Sequence, residues 1–397
     1  MDFGNTSCRL RALVSYYLNC YNECVKRVGF LKQKNSAERS IDRNFLILVL
    51  FLVIFGLVAV ADVSAPQALN AYGDKFYLLK QQAEWSVIGI IAFVIASKIK
   101  YSFWEKVATP FFFGSLALLL LVLIPHFGSA ALGARRWISL GLINFQPSEL
   151  MKFSICIYLA KVASRGKNAL SYFIPLAVVS ALIMLQPDLG TTLVIAMIGL
   201  SQIFVSDVNP LYFFGAGIVG AAATFVLIIL SPYRRARLTT FLQTTEDPLG
   251  KSYHIRQILL ALGSGGAFGV GLGASRQKYL FLPEASTDSI FAVISEELGL
   301  IGSVAVIALF VYFFLKAIRI AQKAPDSFSK VLAIGIATWV AGQAFLNIAS
   351  IVALVPLTGI PLPFISYGGS SLVMTLIACG ILLNISKYSD VYEKHRK

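Results

Sequence analysis

Phe45–Ala61 reads FLILVLFLVIFGLVAVA, an unbroken run of seventeen residues without a charge, an amide or a proline. At about 1.5 Å of rise per residue, a helix of that length approaches the roughly 30 Å hydrocarbon thickness of a bilayer. Similar runs follow along the chain, at Glu84–Ser97, Val107–Ile124, Ser148–Ala163, Ser171–Leu185, Thr191–Val205, Leu211–Leu230, Ser289–Leu315, Val331–Val355 and Ser371–Ile385. The fold class expected is therefore an all-α polytopic membrane protein of about ten transmembrane helices.

Composition agrees. Of 397 residues, 57% are hydrophobic and 14% charged, against roughly 25% charged in a soluble domain. A soluble fold of this size has no way to bury so much apolar surface, so globular, disordered and coiled-coil classes are excluded. The net charge of +14 is spread between apolar runs and not gathered on one domain, so it orients helices and meets anionic headgroups, and no nucleic-acid partner is expected.

With the N-terminus cytoplasmic, 22 of the 34 Lys and Arg fall in inside segments, and seven of the rest lie in one long loop, 231–288, whose length makes them count little. Both termini are therefore expected inside and that loop outside. Residues 1–43 form a basic cytoplasmic tail with an amphipathic helix expected around Leu10–Leu31. Residues 44–387 form the membrane domain, and 388–397 a short cytoplasmic tail. No small-residue cleavage signal follows the first run, and no internal repeat of the transporter kind stands out. Cys8, Cys20, Cys24, Cys156 and Cys379 make no ligand set with His126, His254 or His395, and free thiols are expected.

Four polar constellations fall at the expected outer face. The first is Gly133–Gly141 (GARRWISLG) leading into Gln146–Lys152 (QPSELMK). Pro147 and Glu149 suit the first turn of a helix, and Glu149 and Lys152 are one turn apart, as in a local ion pair. Arg135 and Arg136 beside Trp137 fit an interfacial anchor, and equally the oxygens of a pyrophosphate. The second is Gln186–Thr192 (QPDLGTT), where Asp188 suits an N-cap and is also an ionisable group close to the bilayer.

The third lies in the long loop. Gly263–Gly273 (GSGGAFGVGLG) lacks the preceding strand and the Gly-Lys-Ser/Thr of a phosphate loop, so tight turns and close backbone approach explain it better. Arg276 and Lys278 follow, then Asp288 at the mouth of the eighth run, readable as an N-cap or as a carboxylate poised as general base. Glu296 and Glu297 lie two turns deeper, as partners for a buried cation, as backbone ligands or facing a cavity. The fourth is Pro356–Ser371 (PLTGIPLPFISYGGSS), whose prolines and glycines forbid a continuous helix. Irregular backbone at membrane depth survives only buried in protein or lining a cavity, so Ser366, Gly368, Gly369 and Ser370 are candidate wall residues of a broken re-entrant segment before the last helix.

These four constellations, in this order, resemble the SEDS family (FtsW/RodA/SpoVE) from about Asn44 to Lys387. SRQK at 275–278 after GVGLG at 269–273, and LTGIPLPFISYGGSS at 357–371, resemble its division members more than its elongation members. The resemblance implies a ten-helix peptidoglycan glycosyltransferase of the bacterial cytoplasmic membrane, working at the division septum. It implies that lipid II is polymerised into glycan strands at the outer face, alongside a class B penicillin-binding protein and other division proteins. The family's essential aspartate maps onto Asp288. Where the family usually has His-Thr-Asp-Phe-Ile-Phe, this chain has Ser286-Thr-Asp-Ser289-Ile-Phe.

The chemistry this implies needs a base for the acceptor hydroxyl and cations for the departing lipid pyrophosphate. Asp288 is the candidate catalytic residue. Arg135, Arg136, Lys152, Glu149, Asp188, Arg276, Lys278, Ser366, Gly368, Gly369 and Ser370 are the candidate substrate-binding residues. An α-linked donor and a β-linked product require inversion by one displacement. A divalent cation, Mg or Mn, would serve the pyrophosphate, although no ligand cluster marks a site. The competing readings are a lipid II flippase or other transporter, and a scaffold without catalysis for the transpeptidase.

Overall fold

The computed structural model describes residues 41–124, 128–131, 134–140, 143–166, 168–206, 208, single positions between 212 and 241, and 252–388. The expected helix around Leu10–Leu31 and nearly all of the seventh run lie outside these residues. The described elements are α1 (Arg43–Tyr72), α2 (Tyr77–Lys98), α3 (Tyr101–Leu123), α4 (Pro147–Ser164), α5 (Leu170–Leu185), α6 (Leu189–Val205), α7 (Tyr253–Ser264), α8 (Ile290–Gln322), α9 (Ser327–Ile351) and α10 (Gly369–Ser386). Six of them, α1, α2, α3, α8, α9 and α10, are long and apolar enough to cross a membrane, and α5 and α6 are shorter apolar helices.

The helix ends follow local chemistry. Asp42 caps α1 by accepting from the Phe45 N–H at 3.0 Å, and Gly73 closes it in the left-handed conformation at φ 72°. Asp326 and Ser329 form a reciprocal capping box on α9. Asp188 caps α6 through the Thr191 N–H at 3.0 Å. Helix α2 starts earlier than the apolar run because Lys80, Gln81, Gln82 and Glu84 occupy its first turns.

The described residues are mostly helical, as expected, and one small element is added to the helices. Strands β1 (Gly128–Ala131), β2 (Ala134–Leu140) and β3 (Ile143–Phe145) form a small antiparallel sheet in the order β1-β2-β3. Ala130 pairs with Arg135, and Ile138 with Phe145. Trp137-Ile138 with Ile143 supplies the β-prone residues.

Helix α4 is the innermost. Nearly every residue from Pro147 to Val162 is buried, including Glu149, Lys152 and Lys161, as expected of a helix surrounded by others. Around it, the start of α1, the start of α3 and the end of α10 gather at one end of the bundle. There the Asp42 N–H donates to Ser386 Oγ at 3.4 Å, the Tyr101 N–H to Asn384 Oδ1 at 2.9 Å, and Lys316 pairs with Asp42 at 3.3 Å. The four constellations stand at the opposite end.

Candidate functional site at the outer end of the bundle

The stretch between α9 and α10, residues 352–368, is irregular as expected, and its backbone polar groups are met by side chains of the bundle. On α9, Gln343 Nε2 donates to the Pro361 carbonyl at 2.9 Å, and Asn347 Nδ2 to the Ile360 carbonyl at 2.8 Å. On α2, Gln82 accepts from the Gly368 N–H at 3.2 Å, while Gln81 accepts from the Tyr367 hydroxyl. The Leu362 N–H donates to Ser366 Oγ at 2.8 Å. An irregular backbone buried among helices needs such partners, because each unmet group costs about 1–3 kcal/mol.

This same segment holds Asp288. The Ser366 hydroxyl donates to the Thr287 carbonyl, the Tyr367 N–H to the Ser286 carbonyl at 2.9 Å, and Asn347 Nδ2 to the Asp288 carbonyl at 2.7 Å. From α1, Gln67 Oε1 accepts from Ser286 Oγ at 2.9 Å. Thr287 Oγ1 reaches Glu284 Oε2 at 2.7 Å and Asp288 Oδ1 at 3.2 Å. The N-cap reading of Asp288 does not hold: α8 is preceded by Ser289, and no side chain caps it. His254, on α7, lies 2.9 Å from Ser289 Oγ through Nε2. A cavity of about 200 Å³ adjoins this turn, lined by Val63, Gln67, Lys278, Leu280, Leu282, Pro283, Glu284 and Ala285.

Lys152 and Glu149 sit beneath. Their ion pair, at 2.8 Å, is almost wholly buried, and the Lys152 ammonium also donates to Gln343 Oε1 at 2.7 Å and lies 5.5 Å from the Trp339 ring. Gln343 thereby joins this pair to the Pro361 carbonyl. Ser148 Oγ, Glu149 Oε2, Asn347 Oδ1 and Thr358 Oγ1 are buried without a partner around the same junction. Asp188 stands close by, since a Cβ on Gly190 would meet the Thr358 carbonyl at 2.8 Å.

Arg136 is an anchor within the fold: its Nε donates to the Gln186 carbonyl at 3.0 Å and its Nη2 to the Pro187 carbonyl, tying the sheet to the α5–α6 turn. Of Arg135 the structure describes the β2 backbone only. Gly369 packs against the Trp85 ring, and Ser370 is buried.

Lys278 belongs to a separate cluster. It bridges Asp62 at 2.7 Å and Glu297 at 2.9 Å, almost fully buried. Burial pulls its pKa down, but the two carboxylates outweigh burial and hold it above the ordinary lysine value, so the ammonium stays charged. Glu296 accepts from the Ser275 hydroxyl and from the Arg276 N–H at 3.2 Å, so Glu296 meets the loop backbone, and Glu297 meets both backbone and a cation. Arg276 itself is exposed. The glycine-rich stretch lies against α8 where Gly299 breaks the helix at φ 67°, and a Cβ on Gly269 would land on the Glu297 carbonyl oxygen. Close backbone approach, as read from the sequence, is its role.

The structure thus brings Asp288, Ser366, Gly368, Lys152, Glu149 and Asp188 to one end of the bundle, and sets Lys278 in a clamp between α1 and α8. Sequence reading missed Gln343, Asn347, Gln81, Gln82 and His254. Gln343 and Asn347 had a signal: two amides four residues apart inside an apolar run share one helix face. Among the described residues, no group of three His, Cys, Asp or Glu is placed to hold a metal ion, and no residue set is assigned to a cation.

Residues 42–391 match the family model for a cell cycle protein, FTSW_RODA_SPOVE. The chain is 40% identical over 353 residues to the probable peptidoglycan glycosyltransferase FtsW of Geobacter metallireducens, covering 87% of this chain and 94% of the relative. It is 42% identical over 360 residues to the stage V sporulation protein E of Bacillus subtilis, covering 89% and 98%. Among solved structures it resembles a chain of a peptidoglycan synthase complex that coordinates polymerization and crosslinking, with TM-score 0.73, 28% identity, and 89% of this chain and 99% of that one covered. It also resembles the rod shape determining protein RodA of Thermus thermophilus, with TM-score 0.66, 26% identity, and 88% and 98% covered.

Proposed function

The chain belongs to the FtsW/RodA/SpoVE family of cell cycle proteins, and from that membership we propose how the outer end of its bundle carries out glycosyl transfer. The protein is a multi-pass membrane peptidoglycan glycosyltransferase. Its substrate is lipid II, taken at the outer face of the cytoplasmic membrane, and its product is a glycan strand made during septal wall synthesis. Both termini are cytoplasmic, and a class B penicillin-binding protein cross-links the product.

Asp288 is the general base. It accepts the proton of the acceptor's 4-hydroxyl as that oxygen attacks the anomeric carbon of the donor; the bond to the pyrophosphate oxygen breaks on the opposite side, inverting the configuration. The departing pyrophosphate is met by the exposed Arg276 and by Arg135. Arg136, Lys152, Glu149 and Asp188 act one step back, holding the floor on which Ser366–Ser370 and the Asp288 turn rest. Lys278 holds the loop.

The single observation that carries this reading is the four-sided hold on the Asp288 turn by Gln67, Asn347, Ser366 and Tyr367. A turn whose backbone is held this way, next to a cavity, gives the carboxylate it carries a fixed base for proton transfer. Purified in detergent, where there is no bilayer to flip across, the protein should convert lipid II into glycan strands once its transpeptidase partner is added. A flippase or a scaffold yields no polymer in that assay, and that result would overturn the assignment.

A further inference from the structure

Two ion-pair layers mark the planes between which the bundle crosses the hydrocarbon. At one end Lys316 pairs with Asp42, and at the other Lys278 joins Asp62 to Glu297. The layers are twenty residues apart along α1, about 30 Å by helical rise. That matches the thickness of a bilayer's hydrocarbon core.

The glycine-rich stretch is pinned at the outer of these planes. The Val270 N–H donates to the Glu296 carbonyl at 3.0 Å and the Gly271 N–H to Glu297 at 3.1 Å, while the Leu300 N–H donates to the Gly266 carbonyl at 2.9 Å. Phe268 and Leu272 flank those bonds and are 83% and 77% exposed, beside Leu300 and Ile301 of α8 at 64% and 58%. From Gly263 to Ser275 there is no charge. Two large apolar side chains held out from uncharged backbone, continuous with the lipid-facing side of a spanning helix and level with its outer boundary, have acyl chains as their natural surroundings.

We propose that residues 266–273 are a membrane-inserting loop that seats Phe268 and Leu272 among the upper acyl chains of the outer leaflet. Through Lys278 and the Glu296–Glu297 pair, this fixes the position of the loop that carries Asp288 relative to the membrane surface. The insertion itself rests on the chain spanning a membrane and not on the reaction it catalyses.

The test uses the full chain with its five cysteines replaced and single cysteines at Phe268→Cys, Leu272→Cys, Ile301→Cys and Glu284→Cys. Each carries an environment-sensitive NBD label in phosphatidylethanolamine–phosphatidylglycerol vesicles. A blue-shifted emission at 268 and 272 is expected, with loss of intensity to a doxyl lipid labelled near the top of its acyl chain, as at 301, and protection from iodide. The label at 284 should behave oppositely. Iodide quenching at 268 and 272 equal to that at 284 would overturn the proposal. So would protection from both iodide and doxyl lipid, which would mean that a protein surface covers the loop. Glycan synthesis plays no part in the readout, so an error in the assigned reaction leaves this outcome unaffected.

Discussion

At the residue scale, Asp288 and Asn347 separate chemistry from support. Asp288→Asn keeps the size of the side chain and leaves the carbonyl that Asn347 holds, so the protein should fold and insert normally. Polymerisation of lipid II by the purified protein should nevertheless fall at least ~100-fold, because general-base assistance is typically worth 10²–10⁴. Glu284→Gln, in the same turn and exposed, should keep more activity; a near wild-type rate for Asp288→Asn would remove it from the base role. Asn347→Leu leaves the Ile360 and Asp288 carbonyls without their donor, a cost of about 1–3 kcal/mol for each buried group. A lowered midpoint of thermal unfolding in detergent, together with reduced turnover, is the expected result.

At the scale of elements, the glycine-rich stretch and the break in α8 were made for each other. Gly269, at φ 81°, faces the Glu297 carbonyl, and Gly299 faces the Gly269 backbone in return. Gly269→Ala therefore meets backbone on a rigid helix, and should destabilise by about 3 kcal/mol or more, at the upper end for single substitutions. Gly114→Ala, mid-helix in α3 with nothing within 4 Å, should be neutral or up to about 1 kcal/mol stabilising, which thermal unfolding in detergent will resolve. The Asp62–Lys278–Glu297 clamp is tested by Lys278→Met. Two carboxylates then lose their shared cation, at a cost of about 3–5 kcal/mol. Because the folded-state pKa of Lys278 lies above its unfolded value, the clamp's contribution is complete below about pH 10, the unfolded lysine value, and fades only as pH rises through the folded value.

At the scale of the whole molecule, orientation follows from the distribution of Lys and Arg, and partnership from the chain's lack of a large described domain beyond the membrane. A cysteine at Glu284 should react with an impermeant reagent in intact cells, and one at Lys323 only after lysis; the reverse pattern would invert the topology read from the Lys and Arg distribution. The described residues include no large domain beyond the membrane to guide a growing glycan toward cross-linking. Activity of the isolated chain is accordingly expected to be low and to rise when the single-span transpeptidase is added in the same detergent assay.

The spans were legible in the sequence because hydrocarbon imposes its demand on every residue of a helix in turn. A run such as Phe45–Ala61 therefore declares itself without any knowledge of its neighbours. The turn-forming residues were legible for a similar local reason: Pro147, Asp188 and the proline-rich segment before α10 constrain their own backbone. Asp288 was singled out by its place in a motif, and Glu296 and Glu297 as costly charges needing partners. The uses to which the cations are put, however, came from the tertiary structure alone. Arg136 reads equally well as ligand or anchor, and Lys152 and Lys278 read as candidate ligands, since a charge in sequence carries no record of the carbonyls and carboxylates that meet it in space. The same holds for Gln343 and Asn347. Their bonds reach across to residues 360–361, a different part of the chain, and only packing α9 against the broken segment decides which backbone groups an amide must satisfy.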